Sequence, residues 1–321
     1  MLDRAKADLV HTHITTGIDL IAETAENYTR IPMVWTLHYP HCLGPDQLLK
    51  YQKAIELVQR GGGRVTAVSQ ALARHFVAGR AISESTIEVA PVGVDLKQFS
   101  SRRPRDPGWR RSYSIPVESI VLGGAGRIEH DKGFDTLIAA LAIARSKGQD
   151  VHVVIAGSGT QVPALRAAAN NLGVLDRVHL AGEIEDMASF YRELDVFVMP
   201  SRFEGFGLVL VEALASGVPS ISSPVGAAAE VLTSGGGLLV PPGAPDELAE
   251  AIIQMASPFE RALHSASAQR TANRYSVEAM IERYFSIYSV VLASRVCNQG
   301  ASIATEKPRV KVKELPIQKS D

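Results

Sequence analysis

The chain is poor in cysteine: Cys42 and Cys297, far apart in sequence, are the two it has in 321 residues. That excludes a disulfide-stapled scaffold and fits a reducing compartment. It also lacks a surplus of either charge, with Lys+Arg 33 against Asp+Glu 34. A balanced chain gives no electrostatic footprint for nucleic acid, and no nucleic-acid partner is expected. The first residues, M-L-D-R-A-K-A-D, contain no apolar core, which argues against a secretory signal. No uninterrupted apolar run is long enough to span a bilayer. The expected setting is cytoplasmic, with peripheral contact at the inner face of the membrane left open. No internal repeat stands out.

What is present is the make-up of a soluble globular protein, 46% hydrophobic and 21% charged, with room for two domains. Apolar runs of strand length fall at 7–11, 33–38, 64–68, 87–92, 119–124, 151–156, 177–181, 195–200, 218–222 and 237–240. Helical patterns separate them, at 17–28, at 45–59 and from Ser69, a good N-cap. Further helices are expected at 246–256, 259–272 and 277–294. This alternation predicts an α/β protein with doubly wound parallel sheets. Ser101–Arg111 breaks the texture with five arginines, prolines and a glycine, and reads as a solvated linker. Beyond about Ser294 the pattern gives way to a tail, 295–321, expected to be disordered.

The organising stretch is D-V-F-V-M-P-S-R-F-E-G-F-G-L-V-L-V-E-A-L-A-S-G-V-P, residues 195–219. It reads as a buried strand, a glycine loop and a helix apolar all round except for Glu212. A helix N-terminus behind a glycine loop is a place for a polyanion. Glu204 and Glu212 flank it; the plainer alternative is an acid offsetting the helix dipole and a satisfied core acid. Upstream, S-I-V-L-G-G-A-G-R-I-E-H-D-K-G-F-D-T-L-I-A-A-L (119–141) puts Arg127 and Lys132 in one strand-to-helix connection, where both side chains can converge on one anion. V-H-V-V-I-A-G-S-G (151–159) is a strand entering a turn at Gly157, either ordinary or part of a ligand site. H-T-H at 11–13 sets two imidazoles on one strand face, at an end where open α/β sheets place ligands. His11, deeper in the strand, reads as a hydrogen-bonded core residue. His38 ends the next strand. His13, His38 and His41 together raise zinc, but no acid or cysteine ligand accompanies them, and no metal is expected.

The E-x7-E spacing inside F-E-G-F-G-L-V-L-V-E-A-L-A-S-G-V-P resembles the donor-site signature of retaining family 4 glycosyltransferases with the GT-B fold. G-R-I…K-G-F-D resembles that family's phosphate-binding element. The resemblance runs from about Asp8 to Tyr288 and is strongest across 119–240. It implies two Rossmann-like domains facing a cleft: 1–100, a linker 101–116, 117–275, and a closing helix 276–294 returning to the first domain. It also implies transfer of a sugar from a nucleotide diphosphate sugar, UDP before GDP, to an acceptor hydroxyl with retention and without a cofactor. The acceptor would be a glycan, a lipid-linked sugar or a small molecule. Arg127 and Lys132 would hold the diphosphate, Glu204 the sugar and Glu212 the ribose. Backbone at Phe206, Gly207 and Leu208 would face sugar and phosphate, with Gly157 and Ile184 near the nucleotide. His13 would face the reacting sugar, and His38 would stand on the acceptor side.

Two departures qualify the resemblance. No glycine-rich loop precedes Asp8, so the chain is expected to lack the first units of its N-terminal domain and to be a weak catalyst. Val92, in P-V-G-V-D…F, stands where the family has asparagine. Y-S-V-E-A-M-I-E-R-Y-F-S-I-Y (275–288) is given a structural role. A catalytically inactive nucleotide-sugar-binding protein and a nucleotide-sugar epimerase remain as rival readings.

Overall fold

The computed structural model describes residues 7–13, 18–27, 31–39, 44–79, 81–100 and 105–298. His41, residues 101–104 of the expected linker and 299–321 of the expected tail lie outside them. Ten strands form among the described residues, each on one of the apolar runs identified above.

The first sheet contains β1 (Val10–Thr12), β2 (Met33–Leu37), β3 (Arg64–Ala67) and β4 (Ile87–Val89). They are parallel and stand in sequence order, with no reversal among the described strands. Strand alternation divides β2 between two layers. Met33, Trp35 and Leu37 pack with Ile21, Tyr51 and Phe76 of the helices Ile18–Asn27, Pro45–Arg60 and Gln70–Ala78. Val34 faces the other way and packs with Tyr284, Ile287 and Val291. Those three belong to the last helix, Val277–Asn298, which therefore covers the first sheet from the far end of the chain. It runs beyond Ser294, where the sequence pattern fades.

The second sheet contains β5 (Ile120–Ala125), β6 (Val151–Ala156), β7 (Val178–Gly182), β8 (Val196–Met199), β9 (Ser220–Ser222) and β10 (Gly237–Leu239). All are parallel, in the order β10-β9-β8-β5-β6-β7. From β5 the chain winds outward to β7, then returns to β8 and winds the other way. The central strands are apolar on both sides because helices cover both faces. Val121, Val154, Phe197 and Met199 join one core cluster, while Leu122, Val153, Val196 and Val198 join the other.

The segment read as a solvated linker is partly structural. Asp106 caps a short helix, Pro107–Ser112, by accepting from the Gly108 N–H at 2.8 Å. Arg110 is buried, donating to the carbonyls of Val117 and Ser119 and to the Asp195 carboxylate at 2.9 Å. The arginine count signalled solvent, but one of the five is a buried tie to the start of β8.

Candidate active site

In an open α/β sheet, ligands settle outside the carboxyl ends of the strands where the winding direction reverses. In the second sheet that point lies between β5 and β8. The loop after β5 carries Gly126, Arg127 and Lys132, and the loop after β8 carries Glu204 to Leu208. These residues line a cavity of about 310 Å³ with His38, Tyr39, Val68 and Val92 from the first half of the chain. A larger cavity, about 450 Å³, lies by the opposite ends of β8 and β9. Two of its arginines are occupied structurally: Arg105 by Asp195 and the Leu194 carbonyl, Arg261 by the carbonyls of Met255 and Ala256. Size favours that cavity, but topology and chemistry favour the smaller one.

Two loops from different parts of the chain must meet to make the smaller site, and a forked ion pair fixes them. Arg202 donates from both terminal nitrogens to Asp135, at 2.8 and 2.7 Å, and also to the His130 carbonyl at 2.7 Å. Such planar two-point pairing sets geometry as well as energy. Lys132 then reaches Glu204 at 2.7 Å, with Ser201 Oγ donating to the same oxygen at 2.9 Å. Both partners are largely enclosed, their side chains 14% and 11% exposed. Arg127 behaves differently. Its side chain is 68% exposed and sits 3.6 Å from Asp131. The sequence expected two cations converging on one anion; both line the cavity, Lys132 fixed within it and Arg127 reaching from its rim.

Glycine is required twice beside this pair. A Cβ on Gly205 would collide with the His38 carbonyl oxygen, so the two halves of the chain approach there at backbone distance. Gly207 takes φ 93, a left-handed conformation, and turns the chain into the helix Leu208–Ala215. The first amides of that helix have no intrahelical partner and its dipole is positive at this end. Ser69, the N-cap of Gln70–Ala78 in the first half, donates across to the Gly205 carbonyl at 2.7 Å.

The remaining expected residues occupy separate places. Glu212 lies outside the cavity lining and accepts from the buried Tyr191 hydroxyl at 2.8 Å. Burial raises its pKa, against the opposing effect of that hydrogen bond. Gly157 packs against the Gly126 backbone, and Ile184 packs partly buried against the core; neither lines the cavity. Val92 does line it.

Of the expected histidines on the other wall, His38 lines the cavity and His13 does not; His13 Nδ1 shares a hydrogen bond of 2.7 Å with His38 Nε2. His11 sits beneath, its ring 4.1 Å from that of His13, with Nε2 at 2.7 Å from the Thr36 hydroxyl. Burial first, then the neighbouring histidines, lower the pKa of His11 to about 3 and that of His38 to about 4. Burial also lowers that of His13. The rings are therefore neutral at physiological pH. Among the described residues no three His, Cys, Asp or Glu side chains are grouped to hold a metal ion.

Sequence reasoning missed three contributors. Tyr288, treated above as structural, bonds His11 Nδ1 from the last helix. Arg202 was not singled out, although it sits in the same signature loop. Tyr39 lines the cavity and donates across it to Asp131 at 3.0 Å. Only the signature loop offered a local signal, because the other two contacts join residues 92 and 277 positions apart.

Comparisons with known proteins give the family and the fold. Residues 106–266 match the family model described as Glycosyl transferases group 1, and residues 1–98 match Glycosyltransferase Family 4. A GDP-mannose-dependent monoacylated alpha-(1-6)-phosphatidylinositol monomannoside mannosyltransferase of Corynebacterium glutamicum is 30% identical over 280 residues, 84% of this chain and 72% of that protein. The lipopolysaccharide core biosynthesis mannosyltransferase LpsB of Rhizobium meliloti is 29% identical, over 76% of this chain and 74% of its own length. Among solved structures, Anabaena HepE in complex with UDP superposes with a TM-score of 0.77 at 24% identity, covering 89% of this chain and 80% of its own. Sucrose-phosphate synthase from Thermosynechococcus elongatus gives 0.77 at 23%, over 91% and 76%. At these identities the structures speak to fold alone, and the fold is GT-B. No helix among the described residues is long and apolar enough to cross a membrane.

Proposed function

The chain belongs to the group 1 glycosyltransferases, and from that premise we propose that its cleft transfers a sugar, with retention, from a nucleotide diphosphate sugar to an acceptor hydroxyl. The observation that carries the reading is the enclosed Lys132–Glu204 pair at the winding reversal, beside the amide-rich start of Leu208–Ala215. Lys132, Arg127 and those amides take the diphosphate. As the bond from C1 to the phosphate oxygen breaks, negative charge grows on the leaving group. Donors fixed in place before the reaction are the largest electrostatic aid an enzyme has. Glu204 holds the sugar hydroxyls; Glu212, outside the cavity lining and bonded to Tyr191, has the ribose role from the family resemblance rather than from the geometry.

Among the described residues Glu204 is the carboxylate that lines the cavity, and Lys132 and Ser201 hold it, which favours a front-face course over double displacement. The acceptor oxygen bonds to C1 on the face the phosphate leaves. Its proton passes to the departing phosphate oxygen. His13 and His38, neutral and joined, orient the sugar and the incoming hydroxyl. UDP-sugars and GDP-sugars are the two donor classes: the HepE complex holds UDP, and the Corynebacterium relative is named for GDP-mannose. The acceptor is a glycan, a lipid-linked sugar or a small molecule.

The test incubates the full chain with UDP- and GDP-hexoses and an acceptor panel, reading nucleoside diphosphate release and product configuration by NMR. Release from one donor class with the α-configuration kept is expected. An inverted product would overturn the mechanism. Donor binding without release from any acceptor would favour the inactive binding protein instead.

A further inference from the structure

Tyr39 stands on the first half of the chain, immediately after His38, yet its hydroxyl is bonded to the second half. The acceptor is Asp131 Oδ2, at 3.0 Å. The same oxygen lies 3.6 Å from Nη2 of Arg127. Asp131 is anchored from its backbone, where its carbonyl accepts the Arg202 N–H at 2.7 Å. One carboxylate oxygen thus joins a phenol from one wall to the rim cation of the other.

This arrangement has a directional consequence. Arg127 is long, mostly exposed and held, among the described residues, by one loose ion pair, which at a surface contributes little order by itself. A fixed carboxylate narrows its range, and a hydrogen bond from Tyr39 fixes the carboxylate. That bond forms only when the walls are together, as the Gly205–His38 backbone approach requires. The phenol remains a donor across the physiological range, since burial and then the Asp131 bond push its pKa up to about 12.

We propose that Tyr39 is a positioning residue: through Asp131 it aims Arg127 at the donor diphosphate and makes that aim depend on closure of the cleft. The inference rests on the donor-site reading above. Tyr39 touches no reacting atom in it.

A double-mutant cycle tests the claim, with affinity for UDP and GDP measured by calorimetry on the full chain, on Tyr39→Phe, on Arg127→Ala and on the pair. Tyr39→Phe is expected to weaken binding about tenfold, the usual scale for losing a hydrogen bond to a charged group. In the Arg127→Ala background the same change should matter less than about twofold, because its target is gone. Equal losses in both backgrounds would overturn the proposal, showing that Tyr39 acts on the ligand directly or only supports the wall. No loss in either background would overturn it too.

A readout without ligand separates this from the donor-site reading. Amide hydrogen exchange of 127–132 and 205–209 should quicken in ligand-free Tyr39→Phe. Unchanged exchange would refute the cross-cleft link. Quicker exchange in a protein whose parent binds neither nucleotide would support the link and reject the donor assignment.

Discussion

On the C-terminal wall of the cleft the working groups are charges and oriented amides: Arg127, Lys132, Glu204 and the start of Leu208–Ala215. On the N-terminal wall they are neutral rings: His38 and Tyr39 line the cavity, with His13 bonded to His38 and His11 against His13. Both walls end parallel strands, so the fold alone does not make them differ. The C-terminal sheet reverses its winding at the site and aims two loops and a helix dipole into one cavity. The described N-terminal strands have no reversal and offer only side chains at strand ends. The contrast suits a donor whose recognisable part is a diphosphate and an acceptor whose reacting part is an uncharged hydroxyl.

The comparison breaks most readily at Lys132. Lys132→Ala removes the enclosed cation and leaves Glu204 without its ion-pair partner. Turnover should fall by about 100- to 1000-fold, as when one preorganised donor to a developing anion is lost. Steady-state kinetics checks this. A drop of less than about tenfold would mean that the charged wall is not the donor wall.

Next comes a charge in the same half but away from the cavity. Arg110→Leu strips the Val117 and Ser119 carbonyls and Asp195 of a buried partner. A loss of about 2–4 kcal/mol in urea unfolding is expected, with turnover of the folded fraction unchanged. This separates charges that hold the fold from charges that hold a ligand.

On the neutral wall, His38→Ala should lower kcat on the order of 10- to 100-fold, the lower reach of a positioned imidazole. Nucleotide affinity should move by less than about threefold, because ring and diphosphate belong to different walls. If affinity falls as much as kcat, the division of labour is wrong.

Acidification should act through the same neutral rings. His11 and His38 have folded pKa values of about 3 and 4, below the ordinary 6.5. Below pH 6.5 the unfolded chain therefore binds protons that the folded chain refuses. Their contribution to stability is complete above that pH and is lost as pH falls, toward about 4 for His38 and about 3 for His11. Urea midpoints at several pH values should decline across that window, and less steeply in His11→Gln and His38→Gln. His152, which burial lowers to about 4 on the far side of the second sheet, provides the matching control.

The smallest expected effect is none. On the proposed function, Lys132 and Arg127 supply the positive charge a divalent ion would bring to the leaving group, so EDTA should leave turnover unchanged. Loss of activity restored by manganese would assign part of the charged wall to a metal.

The charged wall was legible in the sequence because its parts are local. A strand, two glycines, an acid and a helix start follow one another within 196–215, and each constrains its neighbours through backbone geometry. Arg127 and Lys132 were found for the same reason. The neutral wall was legible only as single residues. That His13 bonds His38, that Tyr288 reaches His11 and that Tyr39 crosses to Asp131 are facts of tertiary packing, which no periodicity encodes. Arg110 misled for a related cause. Composition marks a stretch as solvated without telling which of its arginines is buried against a carboxylate.

The central claim, that the wall between β5 and β8 is a nucleoside diphosphate site, is tested most directly by isothermal titration of UDP and GDP into the full chain and into Lys132→Ala. The account predicts saturable one-to-one binding of at least one of them, weakened at least about tenfold by the substitution. Folded protein that releases no heat with either nucleotide, or that binds with the same affinity when Lys132 is gone, would contradict it.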